Sequence, residues 1–169
     1  MLKPSEVKKA FARVEDENYA FRAYLKNHAD EEELDKQFLA LHQELFAGYN
    51  CNACRNCCKE YEATFEDAEI GPAAACLGLT ETAFRQAYIE EVMGELLLKG
   101  RPCTFLEPDG SCRLGDCQPA SCRDYPFTDK PERLLSLLGI VESSGVCPVV
   151  YEILERLKQQ YRFKYRQRR

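Results

Sequence analysis

Between Ser5 and Asn27 apolar residues return every three or four positions: Val7, Phe11, Val14, Phe21 and Leu25, with polar Asn18 interrupting the stripe. That period gathers them on one face of an amphipathic helix over residues 5–27. Asp30 with Glu33 three positions on is a capping-box-like start. Leu34, Phe38, Leu41 and Leu45 then form a second stripe, which stops near Gly48. Two helices joined by so short a polar connection are expected to pack as an antiparallel hairpin. The acidic run after Asp30 reads as a solvated outer face.

From Tyr49 the pattern changes. Residues 51–62 read as a cysteine-rich loop. Thr64 is expected to cap a short helix that runs to about Cys76 and ends at Gly78, and Thr80 to cap another that turns Phe84, Ala87, Tyr88, Val92 and Leu96 inward. Residues 100–130 are rich in Pro, Gly and Asp, so turns dominate there. Asp109-Gly110 predicts a tight turn between Phe105-Leu106 and Cys112, closing a small hairpin. Residues 133–142 suit either a strand or a buried helical turn, and a final helix is expected from Pro148 to about Tyr161. The fold class read from this pattern is mainly α: an N-terminal helical hairpin plus a helical, loop-rich cysteine-cluster metal-binding domain. The expected divisions are 1–48 (the hairpin, packed on the main domain), 49–160 (the cysteine-cluster domain) and 161–169 (a basic C-terminal tail).

Length and charge narrow the function. A chain of 169 residues has room for one compact domain with an appended arm. Its net charge of −5 argues against nucleic acid as the main partner. The C-terminal stretch runs the other way: Arg156, Lys158, Arg162, Lys164, Arg166, Arg168 and Arg169 alternate with Tyr161, Phe163 and Tyr165. Such interleaving can stack on bases. The preferred reading is that these cations complement a helix C-terminus or dock onto the acidic hairpin around Glu31–Asp35. No run approaches the about 20 apolar residues that span a bilayer, and the first residues lack the apolar core of a signal peptide. The expectation is a cytoplasmic protein without a membrane partner, in which thiols stay reduced.

Ten cysteines then carry the chemistry. Cys51, Cys54 and Cys57 form two successive C-x2-C steps, a spacing that turns sulfurs toward one ion and matches the triple run of bacterial ferredoxins. Cys147-Pro148 parallels the Cys-Pro pair that closes the ferredoxin signature. Cys58 follows Cys57 directly, and adjacent side chains usually diverge, so the two are expected to face different sites. Cys103, Cys112, Cys117 and Cys122 are further candidates. The count allows two four-ligand sites sharing the 51–58 loop, or one site with spare thiols. Arg55, Lys59, Arg101, Arg113 and Arg123 lie among these cysteines and would offset the negative charge of a thiolate site. Cys76, in an Ala-rich stretch, reads as a small buried hydrophobe. A disulfide framework is disfavoured by the expected compartment. A cysteine nucleophile needs a base, and only His28 and His42 exist, both in the hairpin.

The blocks Cys51-x2-Cys54-x2-Cys57-Cys58, Cys103-Thr104-Phe105-Leu106, Asp109-Gly110-Ser111-Cys112 and Pro119 through Cys122-Arg123-Asp124-Tyr125-Pro126-Phe127 occur in that order. Together they resemble the CxxCxxCC cysteine-cluster family of zinc- or iron-chelating proteins (the YkgJ type) over about residues 49–148. The resemblance implies Cys51, Cys54, Cys57, Cys58, Cys103, Cys112, Cys122 and Cys147 as ligands. Cys117 lies outside the family pattern and stands as a ninth candidate. The chain departs from that pattern at Leu114-Gly115, where an Ile-Tyr pair is common, and at Gln118, where an Arg is favoured. The leading functional reading is an iron–sulfur protein with a redox or electron-transfer role and a redox or protein partner that the sequence does not identify. The alternatives are a structural zinc protein acting as a partner-binding module and a metal-dependent protein-modifying enzyme. The last has no Gly-rich nucleotide loop to support it.

Overall fold

The computed structural model describes residues 1–166, so Arg168 and Arg169 of the basic stretch lie outside the described residues. A 3-10 turn at Pro4–Glu6 leads into α1 (Val7–His28), followed by α2 (Glu31–Phe46). The cysteine-rich stretch is not a loop but two single helical turns, α3 (Cys51–Cys54) and α4 (Cys57–Glu60). Then come β1 (Thr64–Phe65), α5 (Asp67–Cys76), α6 (Glu81–Tyr88), β2 (Ile89–Val92) and β3 (Glu95–Leu98). A 3-10 turn at Gly115–Cys117 precedes α7 (Ala120–Arg123), and α8 (Arg133–Ser143) and α9 (Pro148–Gln160) complete the order. The chain is mainly α, as its periodicity predicts. Among the described residues no helix is long and apolar enough to cross a membrane.

Two compact units divide the chain: one from residues 1–50 with those from 126 onward, the other from 51–125. In the first, the helical unit, Asp30 caps α2 by accepting a hydrogen bond from Glu33 N at 3.0 Å. The stripe residues Phe21, Leu25, Leu34 and Phe38 are at most 1% exposed. Their cover comes mainly from α8 and α9, which α1 and α2 both contact more than they contact each other. Asn18, which breaks the apolar stripe, is buried and donates to Ser144 Oγ on α8's C-cap at 3.3 Å. Residues 133–142, open between strand and helix in the sequence, are helical. Asp35, expected to be a solvated charge, receives the backbone N–H groups of Glu132 at 2.8 Å and Arg133 at 2.9 Å. It therefore satisfies the orphan donors at the start of α8, which local sequence leaves uncapped. Past α9, Tyr161 and Phe163 lie on α1, with ring centroids 6.1 and 5.1 Å from Phe21.

In the second, the cysteine unit, a small antiparallel sheet of order β1-β3-β2 backs α5 and α6. Its core holds Phe65, Ile70, Phe84, Leu98, Phe105 and Leu114. Thr80 caps α6 as expected, accepting from Ala83 N at 3.2 Å. Two expectations fail here. Thr64 is not a cap: it pairs with Leu97 in the sheet, and α5 starts two residues later from Glu66, whose N–H donates to Glu69 Oε2 at 2.9 Å. The helix after Thr80 does not reach Leu96 but stops at Tyr88, and residues 89–98 form a hairpin that pairs Ile89 with Leu98 and Val92 with Glu95. Met93 and Gly94, both at positive φ (53° and 89°), make its two-residue turn.

Candidate metal centre

Within the cysteine unit the backbone gathers the chain segments that carry the candidate thiols. α3 and α4 are joined through Arg55, at φ 53°, so that Cys51 and Cys54 on one turn are followed closely by Cys57 and Cys58 on the next. The Cys103 N–H donates to the Cys58 carbonyl at 2.7 Å, which brings the second cysteine segment against the first. The Asp109-Gly110 turn closes as predicted, with Leu106 bridged to Cys112. Gly110 sits at φ +87°, and a Cβ there would stand 3.0 Å from the Asn52 carbonyl oxygen. Glycine is thus required twice over, for its backbone angle and for the close approach of this turn to α3. Cys122 enters on α7, which Ser121 ties to β1: its Oγ accepts from Thr64 N at 3.1 Å and donates to the Thr64 carbonyl at 2.7 Å. Glu69 of α5 also accepts from Ala120 N at 2.7 Å.

The electrostatics follow from this gathering. Burial pushes the Cys122 thiol up to about 12, and Cys103, Cys58 and Cys112 add to the shift by repelling its charge. Cys103 and Cys51 are raised by burial too, with Cys112 and Cys58 acting on the former and Cys54 and Cys58 on the latter. Cys58 moves the opposite way, down to about 6, chiefly because the Cys57 thiol hydrogen-bonds to it and secondarily through Arg55. The Cys57 thiol is thus within hydrogen-bond reach of Cys58, which rotamer choice in a single helical turn allows. Of the basic residues expected to serve the site, Arg55 acts on Cys51 and Cys58. Arg101 pairs with Glu62, Arg113 lies 5.5 Å over the Phe105 ring, and Arg123 reaches Glu69 and the Gln118 carbonyl.

Cys51, Cys54, Cys57, Cys58, Cys103, Cys112 and Cys122 thus share one neighbourhood. Cys147 lies in the helical unit, 8% exposed at the N-cap of α9, where its carbonyl accepts from Tyr151 N at 3.0 Å. Cys117 is joined to Cys76, 41 residues away, and so stands apart from the free thiols. Cys76 is exposed at the end of α5 and is therefore not the buried hydrophobe expected. Both histidines bond within the helical unit, His28 to the Tyr24 carbonyl and His42 to the Thr128 hydroxyl. Tyr61 joins the cysteine neighbourhood without any signal in the spacing of the cysteines. It follows Cys57 by one helical turn, and its phenol is raised by burial and by the charge of Cys122 and Cys57.

Among the described residues no three Cys, His, Asp or Glu side chains converge tightly enough to hold an ion. The fit to zinc or iron is accordingly one of donor chemistry: sulfurs of the type both metals take, supplied by segments that already adjoin. No curated protein and no solved structure matches the chain. The family model CxxCxxCC, described as "Putative zinc- or iron-chelating domain", matches residues 50–148. That match takes in every one of these cysteines and ends just past Cys147, so the chain belongs to the CxxCxxCC family of zinc- or iron-chelating domains.

Proposed function

We propose that the cysteine unit holds an iron–sulfur cluster and serves in electron transfer, with Cys51, Cys54, Cys57, Cys58, Cys103, Cys112 and Cys122 as the pool of ligands. The observation that carries this reading is the shared environment of Cys58, whose charge is felt by Cys51, Cys103 and Cys122 while Cys57 donates to it. A bound cluster would supply a one-electron carrier. The protein's own part is to orient and to compensate. Arg55 offsets thiolate charge at the α3–α4 junction. Buried Phe105 and Leu114 keep water from the side of the core. Seven thiols exceed the four that a single closed zinc site takes, which favours a polynuclear centre.

Structural zinc is the second reading, favoured by the sparse secondary structure between Leu98 and Ala120, where the 3-10 turn Gly115–Cys117 is the one named element. A metal could order such a segment. Anoxic purification with metal and acid-labile sulfide analysis separates the two. The expected result is brown protein with iron and sulfide in comparable amounts and visible absorption that bleaches on reduction. Colourless protein with stoichiometric zinc and no sulfide would overturn the iron–sulfur reading.

A further inference from the structure

The Cys76–Cys117 bond belongs to neither reading. It joins the exposed end of α5 to the 3-10 turn that lies between Cys112 and Cys122. Cys117 stands five residues from each of those two cysteines, so whatever fixes Cys117 fixes the stretch that presents both. The flanks of that stretch are held separately: Cys112 by the Leu106 bridge, the Arg113 N–H on the Phe105 carbonyl at 2.8 Å and buried Leu114, and Cys122 by Glu69 and Ser121. The cross-link is the covalent tie on the turn between them. Gly115 and Asp116 within it are exposed, and nothing lies within 4 Å of where a Cβ on Gly115 would stand, so the outer side of the turn is open. The cross-link closes a loop of 41 residues, the kind of restraint whose loss frees the most chain.

We infer that Cys76 and Cys117 form a dithiol–disulfide site, distinct from the metal ligands, through which a dithiol reductant releases the segment bearing Cys112 and Cys122. Cys76 is exposed and Cys117 half-buried, so the attacking thiolate reaches the Cys76 sulfur first. The Cys76–Cys117 bond breaks, a mixed disulfide forms at Cys76, and Cys117 leaves as thiolate. The second thiol of the reductant then displaces Cys76. In total, the reductant gives up two electrons and two protons and becomes a disulfide, and the protein gains two thiols. Reoxidation by a disulfide of the same class reverses the sequence.

The consequence for metal retention rests on the proposed function, and the test separates the two. The full chain, purified anoxically, is equilibrated in buffers of graded reduced-to-oxidised dithiothreitol, then alkylated after denaturation and digested. A peptide pair linked through Cys76 and Cys117 is expected in the oxidising buffers and is expected to disappear in the reducing ones. Hydrogen exchange across 112–122 should quicken several-fold with that disappearance. Cys76→Ser and Cys117→Ser should each show the fast exchange in every buffer, while exchange in α1 and α9 reports that the variant is folded. No linked peptide at any ratio, or exchange unchanged when the link is lost, overturns the inference. When metal is present, its release to EDTA should be several-fold faster in the reduced form. Protein found to carry no metal removes the metal reading and leaves the exchange comparison to decide the dithiol site.

Discussion

Two sulfurs of the cysteine unit, Cys58 and Cys122, are shifted in opposite directions: Cys57 hydrogen-bonds to the first, and burial closes over the second. The hydrogen bond and Arg55 hold Cys58 as a thiolate down to about pH 6, whereas buried Cys122 keeps its proton up to about 12. Since thiolates are the reacting form, iodoacetamide should modify Cys58 before Cys122 in reduced, metal-free protein. The rate at Cys58 should climb through a midpoint near pH 6 and level off above it, and peptide mass mapping reads the order. Cys57→Ala removes the donor and should move that midpoint upward toward the ordinary thiol value, whereas Cys57→Ser retains a donor and should move it less. The linkage to folding has the same sign. A depressed thiol favours the folded form fully above its unfolded value of 9.0, and that contribution is lost as pH falls through about 6. The family's cysteine blocks were legible in the sequence because their order and spacing are local features. The meeting of Cys57 with Cys58 was not, since it depends on rotamers. The Cys76–Cys117 bond was not either: a separation of 41 residues carries no local signature.

Helices with a clear apolar period were legible to within a few residues. α1 and α2 follow from stripes that have few rival conformations, α9 begins at Pro148 as expected, and the Asp30 and Thr80 caps act as read. Short elements were less visible. The Ile89–Leu98 hairpin was mistaken for more helix because Tyr88, Val92 and Leu96 also fall at four-residue steps, and Met-Gly is not among the usual turn pairs. Met93 pays for this with a left-handed backbone at full exposure. Met93→Asn, a residue that tolerates that conformation, should stabilise the chain by about 0.5–1 kcal/mol. Urea unfolding followed by circular dichroism measures the change, and the direction should reverse for Gly94→Ala, whose backbone stands at φ 89°.

At the scale of the molecule, each unit has its own core and a different source of order. The helical unit rests on tightly buried apolar side chains, and the segment from Leu98 to Ala120 in the cysteine unit has few. Chelation of bound metal should therefore open residues 99–119 to protease while helices α1, α2, α8 and α9 keep their protection, as limited digestion with mass mapping would record. Equal protection of 99–119 with and without metal would show that the thiols are structural only. The grouping itself left no mark in the sequence. That α1 and α2 are covered by α8 and α9 is a tertiary fact, and local periodicity reports only that a face is buried, not by what.

That arrangement has a bearing on biosynthesis. The apolar faces of α1 and α2 emerge from the ribosome long before the helices that cover them: roughly 85 residues separate Phe46 from Arg133, or about 4–17 s at ordinary elongation rates. Over that interval the nascent chain carries Phe21, Leu25, Leu34 and Phe38 without their partners, while the cysteine unit, contiguous in sequence, can already close. Chains stalled with residue 130 clear of the exit tunnel should therefore resist protease within 51–125 once metal is supplied, yet be cut in α1 and α2. Stalling after α9 has cleared the tunnel should protect both. The first fifty residues should thus gain their protection last, although they are made first.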